Sequence, residues 1–278
     1  MKILKWIMGI AAVTMLVALG SPKAEAKKAL VLYYSQTSNT KAVAQEIAKR
    51  LKADIEEIVL VTPYDGDYKA TIERSRKERE QGITPAIQPI KAKIKKYDVI
   101  FLGYPIWYGT YAPPIATLLN KVDLSGKRVV PFCTFGSGGL ESSAAYLAQA
   151  QPKAKILDGY GVRAARMDAM PKEVDQFLKA SGFLKGEYVK LDSFPAQHVV
   201  SDEESAIFDA AVGDYPMISA KAMTMASRTI PNGMEYLFTA VDKPRKNDSN
   251  LQMRPPVEMK VYVTVLDGKA PVFTKVVR

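Results

Sequence analysis

The sequence is almost without cysteine and histidine: Cys133 and His198 are the only residues of these types among 278. One cysteine allows no internal disulfide, and the two residues together are too few for a Cys/His zinc site. A Ser-His-Asp triad is hard to build on a single histidine beside a polar linker, where a surface position is expected. Cys133 ends the apolar run that begins at Val129, which favours a buried structural thiol over a reactive one.

Repeats and low-complexity segments are also absent. The chain is 47% hydrophobic and 24% charged, which is typical of a globular protein. Its 278 residues suit one large or two ordinary domains. A core of that size is stable without a disulfide or a structural metal.

Acidic residues are fewer than basic ones, and the full sequence carries a net charge of +10. Removal of residues 1–26 takes away three lysines and one glutamate and leaves +8. A basic protein can attract nucleic acid, membranes or acidic partners. The basic residues are scattered, however, and no basic stripe is interleaved with aromatic residues. We therefore predict no nucleic-acid binding.

The N-terminal segment has the three parts of a secretory signal peptide. Lys2 and Lys5 form a positively charged start, an uncharged apolar stretch covers residues 6–19, and residues 24–26 form a small-x-small cleavage site. The mature chain would begin at Lys27. An uncleaved N-terminal anchor is the alternative, although the apolar stretch is short for a bilayer. We expect an exported protein, periplasmic or extracellular, with no membrane span in the mature chain.

From residue 29 onward, apolar strand-like runs alternate with amphipathic helical stretches. The predicted strands cover residues 29–34, 55–61, 99–103, 127–134 and 155–162. The predicted helices cover residues 40–51, 69–80, 113–120, 140–150 and 171–180. This alternation predicts an α/β fold, a doubly wound five-stranded parallel sheet with helices on both faces. Such sheets bind ligands at the carboxyl ends of their strands, which makes the loops after the first, third and fourth predicted strands the candidate site.

A different pattern follows the polar linker predicted at residues 185–200. Ser201 and Glu204 have the spacing of a capping box, and the helix that they begin is expected to end near Gly213. The pair at residues 232–233, Asn-Gly, separates two strand-like runs and is a strong hairpin signal. Apolar and polar residues alternate over residues 257–265, as in a half-buried strand. Residues 201–278 are therefore predicted to form a smaller α+β domain, with one helix and an antiparallel sheet.

The first candidate loop, residues 35–40, reads Ser-Gln-Thr-Ser-Asn-Thr and leads from a strand into a helix. Hydroxyls and backbone N–H groups at a helix N-terminus can surround a phosphate. The loop has no lysine, which argues against a nucleoside-triphosphate P-loop. Simple capping of the helix by Ser38 or Asn39 explains the same residues. Taken alone, the loop leaves both interpretations open.

The other two loops are rich in aromatic residues or glycine. Residues 103–111 carry four aromatic residues in a segment with two glycines, and aromatic faces stack on planar ligands; packing of a hydrophobic loop against a neighbour is the alternative. Residues 134–139 contain three glycines, which let the backbone approach a ligand closely. This loop matches a dinucleotide fingerprint only weakly, because Glu141 stands where the third glycine would be.

Together the three segments resemble those of bacterial short-chain flavodoxin-like proteins. Residues 34–40 resemble the flavodoxin phosphate loop, and residues 103–109 and 132–139 resemble the two loops beside the flavin ring. The resemblance covers about residues 28–182. It implies a flavodoxin-like domain at residues 27–184, a strand order of 2-1-3-4-5, and FMN as the cofactor.

The resemblance also implies a role for each matching residue. The FMN phosphate is expected to lie against Ser35, Gln36, Thr37, Ser38, Asn39 and Thr40. One side of the flavin ring is expected to face Pro105, Ile106, Trp107, Tyr108 and Gly109. The other side and the polar edge are expected to face Thr134, Phe135, Gly136, Ser137 and Gly138. No catalytic acid–base residue and no metal ligand is implied.

The charge of the chain departs from that of electron-carrier flavodoxins, which are typically acidic and cytoplasmic. The two ring loops contain almost no acidic residue before Glu141. Negative charge near a flavin disfavours its anionic reduced form by Coulomb repulsion. We therefore expect the reduction potential of this protein to be higher than that of an acidic flavodoxin.

The C-terminal segment resembles, over residues 226–236, the cystatin-like domains attached to exported bacterial proteins. Cystatin inhibitors place Gln-x-Val-x-Gly here, whereas this chain has Arg228 for the glutamine and one extra residue before Gly233. We therefore do not expect protease inhibition. We expect residues 201–278 to bind or dock a protein partner.

Two functions are compatible with these patterns. In the first, an exported FMN-binding protein transfers electrons or reduces a small acceptor such as a quinone. In the second, the flavodoxin fold is a non-enzymatic scaffold whose C-terminal domain docks a protein partner. A fold by itself does not decide between them; the intact Ser/Thr loop and Trp107 favour the first. The patterns name neither the electron donor nor the acceptor.

Overall fold

The computed structural model describes residues 28–64, 67–213, 215, 218–242 and 257–278. The predicted signal peptide and its cleavage site lie outside these residues. Within the described ranges, no helix is both long enough and apolar enough to cross a membrane. The described strands form two separate sheets.

The first sheet follows the predicted alternation of strands and helices. Its strands are β1 (Ala29–Tyr33), β2 (Asp54–Glu57), β3 (Val99–Trp107), β4 (Thr110–Tyr111), β5 (Arg128–Phe135), β6 (Lys155–Ile156) and β7 (Tyr160–Arg163). The helices are α1 (Asn39–Leu51), α2 (Tyr68–Glu80), α3 (Pro113–Lys121), α4 (Leu140–Ala150) and α5 (Met170–Ala180). The parallel strands lie in the order β2-β1-β3-β5-β6, with β7 also paired to β5 and the short β4 antiparallel to β3. The predicted doubly wound sheet and its strand order are confirmed.

Helices cover both faces of this sheet, because successive side chains of each strand point to opposite sides. In β1, Leu30 and Leu32 pack in a core with residues of α3 and α4, whereas Val31 and Tyr33 pack in a second core with residues of α1 and α5. Full burial of a large apolar side chain contributes about 1.5–3 kcal/mol. These two packed cores therefore hold the sheet, and with it the start of each loop at the carboxyl ends of the strands, in a fixed position.

The fifth predicted strand, residues 155–162, is divided into β6 and β7, and Pro131 of β5 explains the division. Val129 of β5 accepts a hydrogen bond from the N–H of Leu157. The next bond of a parallel ladder would come from the N–H of residue 131, but proline has none. Pairing stops after Ile156 and resumes opposite Phe132 with Tyr160.

Two other strands differ in length from the prediction. The segment after Glu57 leaves β1 and turns toward residues 86–88, where Leu60 bridges Ile87, so β2 is shorter than residues 55–61. In contrast, β3 continues to Trp107 instead of ending at residue 103, because residues 106–107 pair with β4 in a hairpin. Most of the segment predicted as the second candidate loop is therefore a strand and its hairpin turn.

The second sheet is antiparallel and follows the order β12-β11-β10-β9-β8. It contains β8 (His198–Val199), β9 (Ala220–Ile230), β10 (Gly233–Asp242), β11 (Glu258–Leu266) and β12 (Val272–Val277), and α6 (Asp202–Val212) precedes β9. Ser201 and Glu204 form the predicted capping box, and residues 231–232 turn the chain between β9 and β10. The predicted α+β arrangement of one helix and an antiparallel sheet is confirmed. His198, in the last part of the predicted linker, is exposed and lies 2.9 Å from a carboxylate oxygen of Glu204.

Candidate functional site

The three candidate loops meet at one edge of the first sheet. β1, β3 and β5 are direct neighbours and run parallel, so their carboxyl ends lie side by side. The loop of residues 34–38 follows β1, the β3–β4 hairpin turn follows β3, and residues 136–139 follow β5. The sheet order therefore brings together three segments that are far apart in the sequence.

The loop after β1 has the geometry of an anion-binding turn. Ser38 adopts a left-handed conformation at φ 66° directly before α1, and its side chain makes no capping hydrogen bond. Among the described residues, the backbone N–H groups of residues 37–39 have no acceptor, and Thr37 and Ser38 are exposed. Successive N–H groups in such a turn form a concavity that favours anions. The alternative explanation of this loop was capping by Ser38 or Asn39. The Ser38 side chain does not cap the helix, and Asn39 is the first residue of α1.

The other side chains of this loop hold its shape. The Ser35 hydroxyl accepts a hydrogen bond from the N–H of Lys41 at 3.2 Å, and the Gln36 side chain accepts one from the Tyr34 hydroxyl at 2.6 Å. Thr40 is buried, and its hydroxyl lies 2.8 Å from the Thr134 hydroxyl at the end of β5. No acidic residue lies between residues 34 and 40. This set of hydroxyl and N–H donors, without a carboxylate, suits a phosphate group.

The β3–β4 hairpin turns at Tyr108 and Gly109, both of which have positive φ. This conformation is that of a type I′ turn, which usually carries Asn-Gly, and it is strained for tyrosine. The Tyr108 hydroxyl lies 3.0 Å from the carbonyl of Ile72 and 3.2 Å from the hydroxyl of Ser75, both on α2. These contacts hold Tyr108 against α2 despite its backbone strain.

Trp107 is the half-buried aromatic residue at the centre of this edge. Its ring meets Tyr34 edge-on with centroids 6.2 Å apart, and Tyr64 with centroids 5.2 Å apart. Tyr64 is itself fixed by a 2.5 Å hydrogen bond to the carboxylate of Glu78. By comparison, Tyr104 is fully buried in the core, so the aromatic residues of this segment do not all belong to the site.

The three loops are tied to one another in pairs. Tyr34 and Trp107 join the first loop to the hairpin, and the two threonine hydroxyls join the first loop to β5. The Ser142 hydroxyl on α4 donates to the carbonyl of Gly109 at 2.7 Å. A Cβ added to Gly139 would lie 2.7 Å from the Ile106 side chain, so these two residues are in close contact. The edge is a preorganised surface, as a binding site requires.

Sequence reasoning missed one charged residue at this edge, Arg163. It ends β7, is buried, and donates from Nε to the carbonyl of Gly136 at 2.7 Å. Burial lowers the pKa of this guanidinium from its usual value. Its position at the carboxyl end of a strand next to β5 was the available signal.

Cys133 is fully buried in β5, as predicted. Burial raises the pKa of its thiol well above the usual value. The thiolate, which is the reactive form, is therefore scarce at neutral pH. We assign Cys133 to the core.

Two surface depressions lie near the site, and neither is formed by all three loops. A cavity of about 200 Å³ lies between α2 and the β3–β4 hairpin, and Trp107, Tyr108 and Arg79 are among its lining residues. Cofactor pockets usually exceed about 300 Å³, so this cavity suits a smaller molecule. A larger, open groove of about 720 Å³ runs along the edge strand β2 and includes Glu56 and Glu57. Among the described residues, Lys91 is the one basic residue that lines the groove beside these two carboxylates, so the charge of its lining does not favour a phosphate.

Comparison with known proteins places the first domain in a family. A candidate flavoprotein from Bacteroides eggerthii shares 30% identity over 55% of this chain and 96% of its own, with a TM-score of 0.49. A flavoprotein from Lactobacillus acidophilus, solved in complex with FMN, shares 26% identity over 49% of this chain and 93% of its own, with a TM-score of 0.46. None of the curated proteins compared matches this chain. The flavodoxin family model matches residues 28–176, more than half of the chain, and the protein therefore belongs to the flavodoxin family.

Proposed function

We propose that this chain is an exported FMN-binding flavoprotein that transfers electrons or reduces a small acceptor such as a quinone. The observation that carries the proposal is the loop after β1, in which the Ser38 side chain makes no capping hydrogen bond and three neighbouring N–H groups have no acceptor among the described residues. Membership of the flavodoxin family supports FMN as the phosphate-bearing ligand. The signal-peptide pattern of residues 1–26 supports export.

The residues present fit FMN in chemistry as well as in position. Residues 35–40 would hold the phosphate through hydroxyls and N–H groups. Trp107 would lie against the ring, since its position between Tyr34 and Tyr64 is fixed, and residues 134–138 would meet the ring's polar edge. The chemistry supplied by the bound cofactor is one- or two-electron transfer. The chain itself supplies binding, orientation and the electrostatic environment.

A small acceptor has a suitable place beside Trp107. The 200 Å³ cavity at the hairpin is lined by Trp107, Tyr108 and Tyr111, and aromatic side chains favour flat apolar rings. The Arg79 guanidinium lies 5.2 Å from the centre of the Tyr108 ring and adds a positive charge at the rim. These features favour a small aromatic acceptor with oxygen substituents, which describes a quinone.

Binding of FMN is tested by the absorption spectrum of residues 27–278 after incubation with FMN and removal of free ligand. Retained bands at roughly 370 and 450 nm, which are properties of the flavin, are expected. A colourless protein whose tryptophan fluorescence does not respond to FMN would refute the proposal. In that case the scaffold function would be the better explanation, and partners of the C-terminal domain would be the next target.

The reduction potential is expected to exceed that of acidic flavodoxins measured under the same conditions. The only acidic side chain next to the ring loops in sequence, Glu141, pairs with Lys275 at 2.7 Å, and Arg163 places a buried positive charge behind Gly136. One charge at this range shifts a potential by an amount on the order of tens of mV. Potentiometric titration of the FMN complex measures it, and a value as low as that of an acidic flavodoxin would contradict this expectation.

A further inference from the structure

The C-terminal sheet contacts the first domain at the loop after β5. The N–H of Val276 in β12 donates to the carbonyl of Ser137 at 2.7 Å. The carbonyl oxygen of Val276 lies so close to Gly138 that a Cβ there would stand 2.0 Å from it. β12 is an edge strand of its sheet. The backbone N–H and carbonyl of Val276 on that edge face the loop. The loop expected to receive the flavin's polar edge is thus paired with the C-terminal domain.

Arg163 joins the same two parts of the molecule by separate contacts. Its Nε donates to the carbonyl of Gly136, and its Nη1 donates to the carbonyl of Phe273 in β12 at 2.9 Å. The guanidinium also lies over the Phe273 ring, 3.4 Å from its centre. No carboxylate pairs with Arg163 in the described part of the chain. Its charge is therefore satisfied by the loop and by the C-terminal domain together.

Tyr215 and Lys275 complete the contact. Tyr215 packs on Phe273 with ring centroids 5.1 Å apart, and its hydroxyl would lie 2.6 Å from a Cβ added to Gly136. Lys275 pairs with Glu141 at the exposed rim. Every residue of the segment 136–138 is therefore approached by the C-terminal domain.

We propose that the C-terminal domain is a structural part of the cofactor site: β12 and Arg163 hold residues 136–138 in the conformation that receives the ring edge, so that tight FMN binding requires the docked domain. This inference rests on the proposed FMN function. In this role, residues 201–278 support the cofactor site of their own chain, in addition to binding any external partner. Arg163 and Val276 are positioning residues, because they act through the loop and not on the ring.

The test compares two variants with matched controls, all in the full mature chain. Arg163→Lys keeps the charge but loses the fork that reaches two carbonyls. Val276→Pro removes the N–H that donates a hydrogen bond to the carbonyl of Ser137, at an edge position where proline is tolerated. Arg50→Lys is the control for the first, since Arg50 similarly bridges α1 to α5 through Asp175 and the carbonyl of Pro171. Val276→Ala is the control for the second, since it keeps the N–H.

The dissociation constants of FMN and riboflavin are measured by flavin fluorescence, with urea unfolding to confirm that each variant is folded. Arg163→Lys and Val276→Pro are each expected to weaken the binding of FMN and of riboflavin by the same factor, about tenfold or more. Arg50→Lys is expected to keep the wild-type dissociation constants. Val276→Ala is expected to weaken binding less than Val276→Pro does. Equal factors place the effect at the ring, which the two ligands share.

Three results would overturn the inference. Wild-type affinity for both flavins in both variants would show that docking does not matter for the site. Weaker FMN binding with unchanged riboflavin binding would place the effect at the phosphate instead of the ring loop. A wild-type chain that binds neither flavin would overturn the proposed function and this inference with it, which distinguishes that failure from the other two.

Discussion

Replacement of Ser38 by Asp is expected to weaken FMN binding by about 100-fold or more without destabilising the protein. A phosphate monoester carries a charge of about −1.5 to −2 at neutral pH. A carboxylate placed a few ångströms away in the exposed loop would repel it by several kcal/mol. The same carboxylate stands at the N-terminus of α1, where it is expected to stabilise the unliganded protein by about 0.3–1 kcal/mol. Binding and stability should therefore change in opposite directions.

The control for this variant is Ser38→Asn, which has nearly the same shape and no charge. Both Asp and Asn tolerate the left-handed backbone that Ser38 adopts at φ 66°, so their difference isolates the charge. Riboflavin, which lacks the phosphate, should bind both variants equally well. Fluorescence titration and urea unfolding measure the two quantities. Equal FMN affinity of the Asp and Asn variants would show that the phosphate does not lie at this loop.

Replacement of Gly103 by Ala is expected to destabilise the protein by about 2–4 kcal/mol, through overpacking in the centre of the sheet. Gly103 lies opposite Phe132 in the pairing of β3 with β5. A Cβ at residue 103 would stand 2.1 Å from the tip of the Phe132 ring, which is fully buried and has no room to move. The added methyl group can be accommodated only if the ring or the backbone shifts.

A double substitution separates this collision from other effects of alanine. Phe132→Leu removes the ring atoms that a methyl group at residue 103 would meet, and it is expected to cost about 1–2 kcal/mol alone. Gly103→Ala with Phe132→Leu should then be more stable than Gly103→Ala alone, a coupling that a double-mutant cycle measures. Gly103 has no positive φ, so the expected cost comes from the collision and not from backbone strain. Additive costs in the cycle would contradict the collision.

Prediction from the sequence succeeded where the signal was local. In α1, the buried Val43, Ala44 and Ile47 follow the helical spacing, and the capping box at Ser201 is a pattern of four consecutive residues. The hairpin at Tyr108 and Gly109 was missed, because type I′ turns usually carry Asn or Gly at the position that Tyr108 occupies here. Contacts with α2 hold that tyrosine in place, and no local pattern reports them.

The division of the fifth strand shows a second limit. Proline is rare in a central strand because it removes a ladder hydrogen bond, and Pro131 occupies such a position in β5. Its effect falls on the neighbouring strand at residues 157–159, however, and depends on which N–H of β5 faces β6. The register of two strands is a property of the assembled sheet, so the sequence of either strand does not report it.

The sequence by itself determined the α/β and α+β classes of the two domains and the edge at which the loops gather, because hydrophobic periodicity acts locally and doubly wound sheets bind ligands at the carboxyl ends of their strands. The order of the parallel strands was implied by the resemblance to flavodoxin-like proteins. Only the tertiary structure decided that Arg163 and β12 support the loop after β5. Arg163 and the Phe273 carbonyl that it binds are 110 residues apart, and no spacing pattern links groups at such a distance. They meet because two independently patterned domains fold against each other, and the complementarity of their surfaces exists only after both have folded.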